Sequence, residues 1–476
     1  MSEWVLDHRK RHHRYFEEMT RIPHGSFHEA QYGDYLVRFA IEHHFEYRRD
    51  AIGNVIIYKP ASAGNGSRPC LALQAHMDMV WAKEETSDHD FLTSPLELYI
   101  EQGFLKARGT TLGADDGTGV AYILAVLDDD SLNTPPIEAI FTVQEETGLG
   151  GALALKKEEI RSKRLISLDC GGGDSIYISS LGGLHGQTRR KIQWEEACGR
   201  GYCLKVRGLK GGYSDGYKRE QANANKTAAR LVYELSRELP LCLADVKGGQ
   251  AQNKISTCCE ISFTSHADPD QIVRRVEYLS ETIKKEIAEA EKGVIIELSD
   301  AETTRQMSNR CSSDVLSFLF LFPCGLRHRG VRFPDIMTES INWPMVECQG
   351  EELCLTYHLR GALDSIIEHM QEEITLLSGC FGFACSRISS FPAWEFHDSE
   401  LLHSLQQVFR RRKGKELGLI PVQGGLECGV FSRMDPEMDI IAMGPYGFDV
   451  HTPDERLDLQ SFDELYEVFC DLLESL

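Results

Sequence analysis

Apolar and polar positions follow two periods along this chain. Over residues 7–20 and 28–44 apolar side chains recur with the spacing of a helix that buries one face, whereas the run NVIIY at 54–58, apolar after Asn54, is of strand length. The stretch 61–67, rich in Gly, Ser and Asn, predicts a surface turn. Short apolar runs follow, each ending in polar chemistry. Residues 70–75 run into His76, 137–143 into Gln144, Glu145 and Glu146, and 165–168 into Asp169. Near the far end, 440–443 precedes Gly444 and Pro445, and then His451. Between the first two runs, 117–127 reads as an amphipathic helix that starts directly after Asp115 and Asp116. Strand, helix, strand in this rhythm predicts an α/β sheet, in which ligands collect at the carboxyl ends of strands.

The segment 186–386 has a different pattern. Strand-like stretches at 201–206, 255–264 and 351–359 interleave with long helical ones at 222–238, 269–292 and 364–378. This predicts an α+β insertion, with the α/β pattern resuming near Phe391 to Trp394. The expected organisation is a discontinuous catalytic domain, 1–185 and 387–476, around an inserted lid or dimerisation-type domain at 186–386. His451 would then return to the site from the far end of the sequence. No internal repeat or low-complexity tract interrupts this scheme.

Composition narrows the function. A chain of 476 residues is long enough for two or three domains. A net charge of −22 excludes a basic surface of the kind nucleic acid or an anionic membrane would need, and it suits a protein that collects cations. Basic residues at 9–14 are followed by no apolar run, so the expectation is that they are not a secretory signal. No apolar run reaches the length of a membrane span. The fifteen cysteines are odd in number, include no Cys-x-x-Cys pair, and several lie in apolar runs, as Cys70, Cys170 and Cys354 do. They read as buried free thiols, and the chain as cytoplasmic.

The polar groups at the strand ends are of one chemical kind. Neutral imidazole and carboxylate suit zinc and other borderline divalent ions, and a paired site needs a carboxylate that can bridge. Asp78 follows His76 by two positions, so on an extended strand end it would lie on the same side and could orient the imidazole. Asp115 lies in a glycine-framed turn, GADDG, at a helix start. Glu145 and Glu146 are adjacent at a strand end, where neighbours point to different sides. One could bind metal while the other faces the attacking water. Each signal has an ordinary alternative taken alone: a capping pair, a solvated pair, a turn, a surface histidine. Their ordered combination on strand ends favours a dinuclear metal centre.

The stretches LQAHMDMV at 73–80 and KARGTTLGADDG at 106–117 resemble the Xaa-His dipeptidase (cytosol nonspecific dipeptidase) family, within the aminoacylase, carboxypeptidase and dipeptidase metallopeptidases. The turn GLKGG at 208–212, GLECG at 425–429 and HTPDE at 451–455 extend the resemblance over essentially the whole chain. It implies a zinc-exopeptidase-like mixed sheet flanked by helices, with an inserted α+β lid. His76, Asp115 and Asp169 would hold one divalent ion, and Asp115, Glu146 and His451 the other. Zinc is the expected ion, with manganese or cobalt as alternatives. Asp78 would orient His76, Glu145 would be the general base, and a cis peptide would join Asp115 to Asp116. Arg360 would grip the substrate's terminal carboxylate, Asn342 would lie near the substrate, and the protein could be a homodimer. The substrate would be a small peptide.

Two departures matter. The family has His after the paired glycines of the inserted-domain turn, and here Tyr213 follows Gly211 and Gly212. Either Tyr213 supplies the oxyanion donor from its hydroxyl, or it is a packed surface residue. Gln423 and Gly424 also stand where the family has His and Ala, which bears on the specificity pocket. The expected activity is hydrolysis of dipeptides. The alternatives are an amidohydrolase acting on N-acyl or N-carbamoyl amino acids, and a metal-binding relative weakened by Tyr213.

Overall fold

The computed structural model describes residues 4–212 and 221–476. The chain divides into two compact units, one formed by Met1–Ser180 with Trp394–Leu476 and the other by Leu181–Ala393.

The first unit is built on an eight-stranded mixed sheet. In spatial order its strands are Glu46–Arg49, Val55–Lys59, Ile137–Thr142, Leu71–His76, Arg164–Ser167, Asp439–Ala442, Ser175–Ser180 and Gly418–Val422. Leu71–His76 pairs in parallel with Ile137–Thr142 on one side and with Arg164–Ser167 on the other. Every residue of Leu71–His76 and Ile137–Thr142 is buried. That burial explains why both read as continuous apolar runs rather than alternating ones, since both faces are covered. Three parallel neighbours therefore end at one edge, and the residues after each carboxyl end are the polar ones singled out in the sequence. The strand Asp439–Ala442, parallel to Arg164–Ser167, brings in the C-terminal part of the chain.

The second unit carries a nine-stranded sheet whose strand pairs are all antiparallel. Helices Ala224–Ser236, Pro269–Ile287, Asn309–Leu321 and Asp364–Cys380 belong to it, over a core that includes Phe263, Phe318, Phe322, Trp343 and Tyr357. The unit boundaries fall outside the span 186–386 read from the sequence. Gly182–Lys191 and Ala384–Phe391 pair with each other over most of their length, so both belong to this sheet. Just beyond them, Ser180 and Trp394 exchange two main-chain hydrogen bonds of 3.0 Å within the first unit.

The expected elements shift at their ends. The first two helices are Arg11–Met19 and Ala30–Glu42. In the second unit the expected strand at 255–264 is Cys259–Ser265. All fifteen cysteines are free. Among the described residues no helix is long and apolar enough to cross a membrane.

Candidate metal centre

His76 is the last residue of its strand, and its side chain is fully buried. Its Nδ1 lies 2.9 Å from the main-chain oxygen of Asp78. To use that acceptor the ring must carry a proton on Nδ1, which leaves the Nε2 edge facing Asp115 Oδ1 at 3.1 Å. With a neutral ring, two acceptors face each other there. A second proton or a cation must occupy the gap.

Asp115 reaches that position through an unusual helix start. The helix is Ala114–Leu127, but Asp115 and Asp116 have non-helical backbone angles and are joined by a cis peptide. Gly113 precedes them at φ +69°, where an added Cβ would press on the Met79 sulfur at 3.0 Å. Left-handed backbone and lack of space both require glycine there. The turn is held from below by Glu455, which accepts the main-chain N–H groups of Leu112 at 2.7 Å, Gly113 at 3.0 Å and Ala114 at 2.8 Å.

The two oxygens of Asp115 face different histidines. Oδ1 faces His76, and Oδ2 lies 3.3 Å from His451 Nε2. His451 Nε2 is also 2.9 Å from Glu146 Oε1. The alignment of that contact is not that of a hydrogen bond, and the buried Glu146 Oε1 is left without a hydrogen-bond partner. Such an approach without alignment suits two ligands directed at a third atom.

His76, Asp115 and Asp169 form one cluster whose ligand atoms lie within 4.8 Å of one another, and Asp115, Glu146 and His451 form a second. Asp115 is common to both. Asp169 follows the strand Arg164–Ser167 by two residues, while Glu145 and Glu146 follow Ile137–Thr142.

The charges in this site repel one another. Burial pushes the Glu145 carboxyl well above its ordinary range, and Asp169, Glu146 and Glu427 push the same way against His76. Burial, with Asp115 beside it, raises Asp169 to about 8. Burial also raises Glu146, while contact with His451 lowers it. Burial acts upward on Asp115 too, but His451 and His76 outweigh it and hold that carboxyl well below the usual range. A buried cluster of acids with two imidazoles is the donor set that divalent ions neutralise. The residues fit such ions.

Asp78 departs from its expected contact. Its carboxylate is not the hydrogen-bond partner of His76, since Oδ1 is 3.6 Å from Nδ1. The carboxylate instead accepts the main-chain N–H of Glu145 at 3.0 Å, that of Glu146 at 3.3 Å and the Ser26 hydroxyl at 2.7 Å. Those N–H groups outcompete the ring because they sit at a turn with no strand partner. Asp78 thus holds His76 through its main chain and the two glutamates through its side chain.

Sequence reasoning passed over several groups. Glu455 lies inside the quoted HTPDE run and Glu427 inside GLECG, but neither run suggests a partner. Glu427 is buried. Its Oε2 accepts Gln74 Nε2 and Thr142 Oγ1, each at 2.6 Å, and so ties together the strands that lead to His76 and Glu145.

Two of the expected substrate-binding residues belong to the second unit. Arg360 and Asn342 are on adjacent strands of the second unit. Arg360 places its guanidinium 4.9 Å from the Phe391 ring centre, and Asn342 donates to the Lys254 main-chain oxygen at 3.0 Å. Tyr213 lies outside the described residues.

Residues 72–475 match peptidase family M20/M25/M40. The chain belongs to this family. It is 31% identical over 468 residues to the cytosol non-specific dipeptidase of Escherichia coli (strain K12), covering 97% of this chain and 96% of that one. Its fold superimposes on the crystal structure of aminoacylhistidine dipeptidase from Vibrio alginolyticus with a TM-score of 0.90 at 28% identity, covering 100% of this chain and 99% of that one. A more distant likeness is to a di-peptidase of Saccharomyces cerevisiae, with a TM-score of 0.55 at 13% identity over 98% of this chain and 95% of that one. At that identity the likeness is one of fold.

Proposed function

We propose that this M20/M25/M40 peptidase is a metal-dependent dipeptidase acting on unblocked dipeptides, Xaa-His among them. His76, Asp115 and Asp169 would hold one divalent ion, and Asp115, Glu146 and His451 the other. Zinc is the expected ion, with manganese or cobalt as alternatives. The observation that carries this reading is the placement of Asp115, one oxygen toward His76 and the other toward His451.

Bound there, two divalent ions supply Lewis acidity to the peptide carbonyl and lower the pKa of water. The remaining work belongs to the chain. Glu145 takes a proton from the attacking water and delivers it to the leaving amine. Its burial suits this shuttle, because a carboxyl raised above its usual range holds the proton between the two transfers. Asp78 keeps Glu145 in place through the main chain. Arg360 would bind the substrate's terminal carboxylate as a bidentate partner, and Asn342 would contribute a polar contact.

The names of both near full-length relatives favour free dipeptides over N-acyl or N-carbamoyl compounds. The word cytosol in the bacterial relative's name supports a cytoplasmic site of action. A panel of free and N-blocked dipeptides, assayed with zinc, manganese or cobalt, tests the reading. Cleavage of free dipeptides is expected, and cleavage of blocked compounds alone would overturn it.

A further inference from the structure

The basic run at 9–14 contains two adjacent histidines that the catalytic reading does not use. His12 and His13 lie in the first turn of helix Arg11–Met19, and both rings turn toward Asp463 in the second turn of the C-terminal helix Leu459–Ser475. His12 Nε2 and His13 Nε2 are each 2.9 Å from the same oxygen, Asp463 Oδ1. The two ends of the chain meet here, 451 residues apart.

We propose that His12, His13 and Asp463 form a third metal site, for a first-row divalent ion of the nickel, copper and zinc group. Its function is to tie the N-terminal helix to the C-terminal one.

Three observations support it. The three ligand atoms lie within 4.8 Å of one another. An ion about 2.0–2.1 Å from each atom spans contacts of 2.9 Å at an angle of about 90°, which suits tetragonal or octahedral coordination. The rings are also fixed before any ion arrives. His12 stacks on Tyr466 with ring centres 4.2 Å apart, and His13 stacks on Phe462 at 5.4 Å. Both imidazoles are buried, whereas the Asp463 side chain is 30% exposed, so an ion and its remaining water ligands can enter from that side.

Two features weaken the site and set its affinity. Lys10 Nζ lies 2.5 Å from Asp463 Oδ2 and competes for the carboxylate. Ligation through Nε2 puts each ring proton on Nδ1, and both Nδ1 atoms are buried without a hydrogen-bond partner. A ligating histidine without that outer partner binds about 10–100-fold more weakly than one that has it. The site should therefore fill after the catalytic pair.

The test uses the full chain carrying Asp115→Asn, stripped by chelation and titrated with Ni²⁺ alone while bound metal is counted by equilibrium dialysis. Adding Asp463→Asn should remove one equivalent, or weaken it at least about 100-fold. Adding Lys10→Gln instead should tighten that equivalent severalfold, an effect a purely structural cluster would not give. Circular dichroism checks folding, and His12→Phe, which keeps the aromatic packing, serves as a second variant expected to lose the ion. Equal nickel uptake with and without Asp463→Asn, or weaker uptake with Lys10→Gln, would overturn the proposal. The catalytic reading is judged separately, by zinc uptake of the chain with Asp115 intact.

Discussion

Asp78 Oδ1 accepts the main-chain N–H of Glu145 at 3.0 Å, across 67 residues of sequence. The proposed proton carrier is therefore held by its backbone, which leaves its carboxyl free to meet water. The same aspartate accepts the N–H of Glu146, so one buried side chain sets the spacing between the proposed general base and a proposed metal ligand. Asp78→Asn places an amide N–H against one of these donors. Steady-state kinetics on a free dipeptide should show kcat lowered roughly 10–100-fold with KM little changed. A rise in KM at constant kcat would point to a substrate contact instead.

Glu455 performs the corresponding task for Asp115. Its carboxylate accepts the N–H groups of Leu112, Gly113 and Ala114. Glu455→Gln keeps the shape but turns one acceptor into a donor against that turn. Competition with a chelator should report metal affinity lower by about 10–100-fold. Unchanged affinity would mean that the turn holds itself.

Glu427 gives a dependence on pH. Burial raises its carboxyl from 4.5 to about 7. Between those values the folded chain binds the proton that the unfolded chain has released, so stability present below pH 4.5 is lost as pH rises through about 7. The shift corresponds to a loss on the order of 3 kcal/mol. Urea unfolding at pH 5 and pH 8 should show a larger fall for the parent than for Glu427→Gln, which keeps an oxygen for Gln74 and Thr142. Equal falls would refute this role.

The strand ends were legible in the sequence because Leu71–His76 and Ile137–Thr142 are buried on both faces, and such strands appear as unbroken apolar runs. The pairing of ligands was legible only through resemblance to a family, since nothing in the spacing says that Asp115 serves both clusters. Asp78 does hold His76, but with its main-chain oxygen, while its carboxylate takes other partners. Residue alternation predicts where a side chain points, not which main-chain N–H groups a later turn brings to it. Much of the second unit was not legible. Its edge strand Ala384–Phe391 is largely exposed, and Gly182–Lys191 ends in basic residues, so neither carries a clean apolar alternation. The helix Asn309–Leu321 was passed over although Ser308 caps it by accepting the Cys311 N–H.

Metal dependence follows from the two clusters. Chelation should abolish turnover, and zinc, manganese or cobalt should restore it. His451→Gln removes a proposed ligand of the Asp115–Glu146 cluster while leaving His76 and Asp169 in place. It should reduce tightly bound zinc from two ions per chain to one. Atomic absorption on dialysed protein would read this directly, and two ions retained would remove His451 from the ligand set.

The central claim is a dinuclear centre bridged by Asp115 with Glu145 as the proton carrier. It is tested most directly by measuring zinc content and kcat on one sample of Glu145→Gln. The account predicts two tightly bound zinc ions per chain, as in the parent, and a kcat lower by about 10²–10⁴-fold. Full metal content with unchanged turnover would contradict it.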